Sequence, residues 1–345
     1  MVKRISLKDI AKKVGVSTAL VSYVLNNKKE GRISKEVAQK IKDAAKELNY
    51  TANQIARSLK TNKTFTIGLI VSDISNPFSS ILNRIIEDEA EKSNYLVLSG
   101  SSDESSDKLW KLTRVLQNYQ VDGFIISPAE HSAPLIQQLQ EQNIPFVLID
   151  RYFPEIKTNY VTIDNYKAAY EGVKHMIENG YRQIGLVGLD IALFNMQERR
   201  RGYMDALKEH DLPIKEEWIK RVKREHVKEA VPKAIDELMA LDEPVDAVLF
   251  TNNVVSTQAL KYINTLPIRV PDDLAIVSFD ESDAADLFYA PITHIKQPLQ
   301  EMGRLAADIL LENIAERQEI KQVKMEAKLI VRKSTERKGK LGRIL

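Results

Sequence analysis

The chain has 345 residues, a formal net charge of +2, no cysteine and five histidines, at positions 131, 175, 210, 226 and 294. This length exceeds one ordinary domain, and the lack of cysteine excludes disulfides, thiol catalysis and cysteine-based metal sites. The histidines lack metal-ligand spacing, so we expect no metal and no cofactor. We also find no apolar run of about 20 residues and no signal-peptide pattern, which predicts a cytoplasmic protein without a membrane partner.

The charge is distributed unevenly along the chain. Residues 1–63 carry a net charge of +10, residues 64–331 carry −13, and residues 332–345 carry +5. A basic end suits a polyanion, because each lysine or arginine that neutralises a phosphate releases condensed counterions. A merely solubilising charged terminus would have the same composition, so the choice depends on the motifs.

Three short helices are predicted within the first fifty residues. Ser6 precedes apolar residues at helical spacing, and Gly15 ends that helix because glycine tolerates a positive φ. Ser17 caps a second helix, from Thr18 to about residue 25, and Ser34 caps a third. Two helices joined by so tight a turn must cross steeply, which indicates a helix-turn-helix.

The second helix of such a unit enters the major groove of DNA, where residues near its start reach base edges. The candidate base contacts are Thr18, Ala19 and Tyr23. Phosphate contacts set the register but carry no sequence information. The candidates for them are Ser17, Ser22, Asn26, Tyr50 and Asn53. Three helices that dock a protein are the alternative, but spacing, capping and charge together favour DNA.

Three segments carry a resemblance to the lactose/galactose repressor family. Its DNA-reading segment resembles SLKDIAKKVGVSTALVSYVLNN, its hinge helix resembles ELNYTANQIARSLKT, and the start of its sensor domain resembles VSDISNPFSSIL. The similarity runs from about residue 5 to residue 335. It implies a homodimeric repressor that binds a near-palindromic operator in double-stranded DNA and is controlled by a small-molecule effector. At family level this effector is a carbohydrate, either a sugar or a sugar phosphate, and a purine is the alternative.

The resemblance also implies a hinge helix. Asn53 would cap this helix, Ala56 would allow two hinge helices to approach, and Leu59 would be an apolar wedge in the minor groove. An amphipathic linker helix that packs Ile55 and Leu59 on the core is the alternative. The chain departs from the family at Leu20 and Tyr23, where threonine and arginine are usual, so the operator sequence is left open. Ala52 replaces the usual proline and removes a rigid helix start.

From residue 65 onward, apolar strand-like runs alternate with longer amphipathic stretches. The predicted strands are 65–71, 95–98, 123–127, 145–149, 184–187, 247–250 and 275–279. The predicted helices include 78–93, 108–117, 167–178 and 254–265. This alternation predicts parallel sheets covered by helices on both faces. The elements are too many for one compact unit, so we expect an α/β core of two Rossmann-like lobes, similar to periplasmic binding proteins, beside the small all-α helix-turn-helix domain.

The family's architecture suggests the domain boundaries. These are 1–50 for the helix-turn-helix domain, 51–63 for the hinge helix and linker, 64–335 for the effector-binding and dimerisation core, and 336–345 for a basic tail. The first lobe would take about 64–163 and 293–320, and the second about 164–291 and 321–333. A strand near Thr293–Lys296 and a helix at 298–316 would thus return to the first lobe, and a final strand at 323–331 to the second.

Polar residues follow several of the predicted strands, where ligands of parallel sheets bind. The candidate effector-binding residues are Asn76, Phe78, Asp150, Arg199, Asn252 and Asp280. Carboxylates and amides suit vicinal hydroxyls, a guanidinium forks onto oxygens, and an aromatic face covers C–H groups. Ordinary turn chemistry is the alternative for each residue alone, because Asp and Asn favour turns. The family usually has Asp at the position of Asn253.

Enzyme signatures are missing from the sequence. We find no G-x-G-x-x-G after a strand, no phosphate-cradling P-loop and no G-x-S-x-G elbow. The prediction is therefore a regulator and not an enzyme. A solute-binding receptor or a sugar-processing enzyme without DNA binding is the alternative, and the basic helical segment at residues 1–63 argues against it.

Overall fold

The chain divides into two units, Met1–Thr64 and Phe65–Leu345, and the computed structural model describes residues 5–25, 33–50, 63–316 and 319–336. Each unit is built around its own hydrophobic core. None of the helices in these described ranges is long and apolar enough to cross a membrane.

The first unit contains three helices, α1 (Leu7–Val14), α2 (Thr18–Leu25) and α3 (Lys35–Glu47). The predicted start and end signals operate as expected. Asp9 accepts a hydrogen bond from the backbone N–H of Ser6 at 2.8 Å, and Gly15 ends α1 with a φ of 78°. Ser34 caps α3 by accepting from the backbone N–H of Val37 at 3.3 Å.

The three helices share a small apolar core. Ile10, Val21 and Ile41 are fully buried, one from each helix, and smaller side chains fill the space between them. Because the apolar faces point inward, the basic side chains of α1 and α3 stay on the surface. The sequence periodicity therefore specifies both the helices and their packing.

The second unit alternates strands and helices. Its strands are β1 (Thr66–Val71), β2 (Leu96–Ser101), β3 (Gly123–Ile126), β4 (Phe146–Ile149), β5 (Tyr160–Ile163), β6 (Ile184–Leu189), β7 (Ile219–Val222), β8 (Ala247–Phe250), β9 (Ala275–Phe279), β10 (Thr293–Lys296), β11 (Gln322–Met325) and β12 (Lys328–Ile330). Its helices are α4 (Pro77–Lys92), α5 (Ser106–Asn118), α6 (Ala133–Glu141), α7 (Asn165–Glu178), α8 (Phe194–Glu209), α9 (Val227–Met239), α10 (Asn253–Ile263), α11 (Asp283–Leu287) and α12 (Leu299–Ala315).

These strands form two six-stranded sheets, with the orders β11-β5-β4-β3-β1-β2 and β12-β10-β9-β8-β6-β7. The first sheet is parallel throughout, and the second is parallel except for the β10–β12 pair. Helices α4, α5, α6 and α12 pack on the first sheet, and α7 to α11 on the second. We call these layered halves the first lobe and the second lobe.

The return of the chain between the lobes differs from the expected one. Strand β10 lies in the second sheet, parallel to β9, and not in the first lobe. The expected final strand is two strands: β11 joins the first sheet beside β5, and β12 joins the second beside β10. Thr293, His294 and Ile295 are almost fully buried, so the backbone N–H and C=O groups of β10 cannot bond to water and pair with strands on both edges. Helix α12 packs on the first lobe as expected.

Candidate functional site

A polar cleft lies between the two lobes, at the carboxyl ends of their strands. The structure brings all six candidate effector-binding residues to this cleft: Asn76, Phe78, Asp150, Arg199, Asn252 and Asp280. They come from five separate loops or helices, so the fold and not the local sequence places them together. Their role in effector binding stays a prediction.

Two aspartates occupy the same place in the two lobes. Asp150 follows β4 and Asp280 follows β9, and both have a left-handed backbone, with φ values of 68° and 71°. Both are buried. The Nε2 group of Gln297 donates to Oδ1 of Asp280 at 2.7 Å, while Nε of Arg151 lies 3.4 Å from Oδ2 of Asp150. The sharp turn at each strand end thus places a carboxylate at the cleft.

Arg199 lies on α8 and is held rigidly, with only 2% of its surface exposed. Its Nε donates to Oδ1 of Asn165 at 2.7 Å, and its Nη1 donates to the carbonyl of Thr251 at 2.6 Å. The guanidinium also stacks on the ring of Phe279, 3.9 Å from the ring centroid. A planar donor fixed in this way can present its remaining N–H groups to oxygens in the cleft.

Burial and charge act against each other in the cleft. Burial lowers the pKa of Arg199, while the carboxylates of Asp280 and Asp150 oppose the decrease. Burial raises the pKa of Asp150 above its ordinary value, although Arg151 and Arg199 favour its ionised form. A buried carboxylate of this kind is poorly solvated and gains from any hydrogen-bond donor that a ligand brings.

The two asparagines of the prediction also have structural roles. Asn76 caps α4 by accepting from the N–H of Phe78 at 3.0 Å, and Asn252 caps α10 by accepting from the N–H of Val255 at 2.8 Å. Asn76 and Asn252 therefore act in part as ordinary turn and capping residues, which was the alternative to a role in effector binding. Asn76 additionally exchanges two amide hydrogen bonds with Asn253 of the second lobe, at 2.7 and 3.2 Å.

An ionic network that the sequence patterns do not reveal joins the lobes. Arg151 donates both terminal nitrogens to the carboxylate of Glu104, at 2.5 and 2.7 Å. Arg224 of the second lobe pairs with Asp73 and, at 3.4 Å, with Glu104 of the first lobe. Arg151 and Asp73 are among the polar residues that follow predicted strands, but neither was predicted to bind the effector. Arg224 follows β7, a strand that the periodicity did not reveal.

In the first unit, the candidate base contacts lie on α2. Thr18 and Ala19 are exposed at the start of this helix, and Tyr23 is half-buried one turn later. Ser17 is exposed and accepts from the N–H of Leu20 at 3.2 Å, while Ser22 and Tyr50 are half-buried. The remaining candidates lie outside the described residues: Asn26, Asn53, Ala56 and Leu59.

Comparison with known proteins supports both units. Residues 6–53 match the model of the bacterial regulatory proteins of the lacI family, and residues 173–335 match the periplasmic binding protein-like domain. The predicted fold class, two α/β lobes with a helix-turn-helix domain, is confirmed by these matches. The first match lies within the first unit, and the second lies within the second unit.

Individual relatives cover nearly the whole chain. The probable HTH-type transcriptional regulator EndR of Paenibacillus polymyxa is 33% identical over 91% of this chain and 92% of its own. The HTH-type transcriptional repressor PurR of Aliivibrio salmonicida (strain LFI1238) is 29% identical over 95% of this chain and 98% of its own. A solved complex of the transcriptional regulator CelR with cellobiose is 27% identical, with a TM-score of 0.72, and covers 96% of this chain and 100% of its own.

Proposed function

Because the chain belongs to the lacI family of bacterial regulatory proteins, we propose that it is a repressor whose DNA affinity is set by a small polyhydroxylated effector between its lobes. Like its relatives, it is a transcriptional regulator and not an enzyme. One observation carries the effector proposal: Asp150, Arg199 and Asp280 converge on one cleft from three separate elements. We place the protein in the cytoplasm, where bacterial DNA lies.

The chemistry of the cleft suits a sugar or a sugar derivative. Two buried carboxylates accept hydrogen bonds from hydroxyl groups, and the fixed guanidinium of Arg199 donates to hydroxyl oxygens. The ring of Phe78 and the side chain of Met196 supply apolar surface for C–H groups. The CelR complex with cellobiose is a precedent for a carbohydrate in a related protein.

The first unit would read the operator. The exposed start of α2 allows Thr18 and Ala19 to approach base edges, and Tyr23 one turn on would add a hydroxyl and a ring. Two copies of the chain would bind two half-sites of a near-palindromic operator, as a two-fold homodimer does. The basic surface of residues 1–63 would supply the contacts to phosphate.

The effector would act by shifting a conformational equilibrium. A molecule that binds the closed lobes more tightly than the open lobes stabilises the closed form. If the two forms differ in DNA affinity, effector and operator are coupled, typically by about 1–3 kcal/mol. The hinge residues, and the predicted minor-groove wedge Leu59, would transmit the change. Leu59→Ala should weaken specific DNA binding far more than non-specific binding, and an equal loss of both would reject the wedge.

A binding-site selection tests the proposal. The full chain is incubated with random double-stranded DNA, and the enriched fragments are measured by fluorescence anisotropy. We expect a near-palindromic consensus, and we expect Tyr23→Ala to lose about ten- to a hundred-fold in specific affinity while non-specific affinity is kept. Tyr119→Ala is the matched control, because Tyr119 is exposed in the second unit. If no fragment is enriched, the solute-receptor alternative is favoured.

A further inference from the structure

Three arginines line the described part of the cleft, and each already faces carboxylates of the protein. Arg199 lies between Asp150 and Asp280, whose charges both act on it. Arg151 is paired with Glu104 through two hydrogen bonds and also lies beside Asp150. The cationic groups of the cleft are therefore compensated before any ligand arrives, which is unusual for a site that must hold an anion.

Glu104 is the centre of this compensation. Its side chain is 11% exposed, and its two oxygens accept hydrogen bonds from Arg151. Its Oε1 atom also accepts from Nη1 of Arg224 across the cleft, at 3.4 Å. Burial opposes the ionisation of Glu104, but the guanidiniums of Arg151 and Arg224 outweigh it and hold the pKa of this carboxyl below its ordinary value. Glu104 is thus ionised at neutral pH and occupies the position that a phosphate or carboxylate of a ligand would need.

A second observation favours a ligand that can donate hydrogen bonds. Gln297 lines the cleft and is buried, and its Nε2 group donates to Asp280. Its Oε1 atom has no hydrogen-bond partner among the described residues. An unpaired buried acceptor is costly, and it is satisfied by an O–H group. A hydroxyl supplies that donor, whereas the phosphomonoester dianion of a sugar phosphate and the carboxylate of a sugar acid offer only acceptors.

We infer that Glu104 is a specificity-determining residue: by neutralising Arg151 and Arg224 it excludes anionic ligands, so that the cleft accepts uncharged polyhydroxylated molecules. A phosphorylated sugar or a sugar acid would have to displace the buried carboxylate of Glu104, which accepts two hydrogen bonds from Arg151. The negative charge of the ligand would then lie close to Asp150 and Asp280. A neutral saccharide or polyol meets neither obstacle. This inference rests on the proposed effector cleft and narrows its ligand class.

The test uses inorganic phosphate as the probe, so it does not depend on knowing the effector. The melting temperature of the full chain is measured with phosphate and with sodium chloride at matched ionic strength, for the wild type and for Glu104→Gln. Glu104→Gln removes the negative charge that faces the guanidiniums of Arg151 and Arg224. Glu130→Gln is the matched control, because Glu130 also reaches across the lobes, where it accepts from the N–H of Ala192 at 3.0 Å. Among the described residues its ion-pair partner is His131 and not an arginine.

We expect no phosphate-specific shift for the wild type or for Glu130→Gln, and a rise of about 3 °C or more for Glu104→Gln at phosphate well above its Kd. The double variant Glu104→Gln/Arg151→Gln should lose most of this gain. A phosphate shift in the wild type, or no gain in Glu104→Gln, would overturn the inference. If Glu104→Gln does not fold, the wild-type comparison alone decides. A separate result would reject the proposed effector cleft itself: a neutral ligand that binds the wild type and the Asp280→Asn variant equally well.

Discussion

The two lobes share one strand order but differ in the charges that they bring to the cleft. Reading from the edge strand β2 or β7, the orders β2-β1-β3-β4-β5-β11 and β7-β6-β8-β9-β10-β12 correspond position by position. The fourth strand of each lobe is followed by an aspartate with positive φ, Asp150 in one and Asp280 in the other. The common topology thus fixes where polar side chains can stand.

The side chains at those positions are not equivalent. Among the described residues around the cleft, the first lobe contributes Asp73, Glu104 and Asp150 and one arginine, Arg151. Of the same residues, the second lobe contributes Arg199 and Arg224 and one carboxylate, Asp280. One face is therefore acidic and the other basic, so the lobes attract each other and can close on an uncharged ligand. The topology thus determines where the side chains stand, and their charges determine that the two faces attract each other.

The largest expected effect comes from removing the buried cation of the second lobe. Arg199→Ala leaves Asp150 and Asp280 without their shared counter-charge, which should reduce the free energy of unfolding by about 3–5 kcal/mol. Arg201→Ala, two residues away on an exposed part of α8, should cost less than about 1 kcal/mol. Denaturant titration followed by tryptophan fluorescence measures both, because Trp110 and Trp218 lie in the second unit. Equal losses of unfolding free energy in the two variants would show that Arg199 does not stabilise the fold as the counter-charge of Asp150 and Asp280.

A smaller effect is expected from the acidic lobe, with opposite sign. Burial raises the pKa of Asp150, so ionising this carboxyl costs stability, and the cost is present above its ordinary pKa and vanishes below it. Asp150→Asn, whose side chain tolerates the same positive φ, should stabilise the ligand-free protein by about 1 kcal/mol near neutral pH. The gain should shrink as the pH falls from the raised pKa of folded Asp150 to the ordinary pKa of aspartate, and it should vanish below that.

The same denaturant titration, repeated from neutral to acid pH, measures this gain. The control is Asp308→Asn, at an exposed position of α12. A gain for Asp150→Asn that does not change with pH would contradict the assignment of the cost to a buried charge.

The smallest effect concerns the neutral contact between the lobes. The paired amides of Asn76 and Asn253 should show a coupling free energy of about 0.5–1.5 kcal/mol in a double-mutant cycle with alanine. The cycle is needed because Asn76→Ala also removes the cap of α4. A coupling of zero would mean that this pair does not hold the lobes together in solution.

Local sequence patterns predicted most elements of the fold but not the connections between the lobes. Strongly apolar strands such as β4 and β9 are visible in the sequence because both of their faces are buried. Strand β7 has Lys220 and Arg221 as the middle two of its four residues, so it does not stand out as an apolar run and was missed. The pairing of β10, β11 and β12 is decided by tertiary neighbours, which short strands at the end of a chain do not encode locally.

The site divides in the same way. Residues that follow apolar strands, such as Asp150 and Asp280, could be predicted, because strand ends are visible in the sequence and the family resemblance marks them. The pairing of Glu104 with Arg224 joins residues 120 positions apart in the chain. Such a contact exists only when the lobes face each other, and no local pattern carries it.

The most direct test of the cleft is a thermal-shift screen of the full chain against neutral saccharides, polyols, their phosphorylated counterparts and purines, with Asp280→Asn measured in parallel. A ligand of the native state raises the melting temperature by mass action. We predict that a neutral saccharide or polyol stabilises the wild type and that Asp280→Asn loses this stabilisation. A purine or a phosphorylated sugar as the stabilising ligand, or a neutral ligand whose effect survives in Asp280→Asn, would contradict the account.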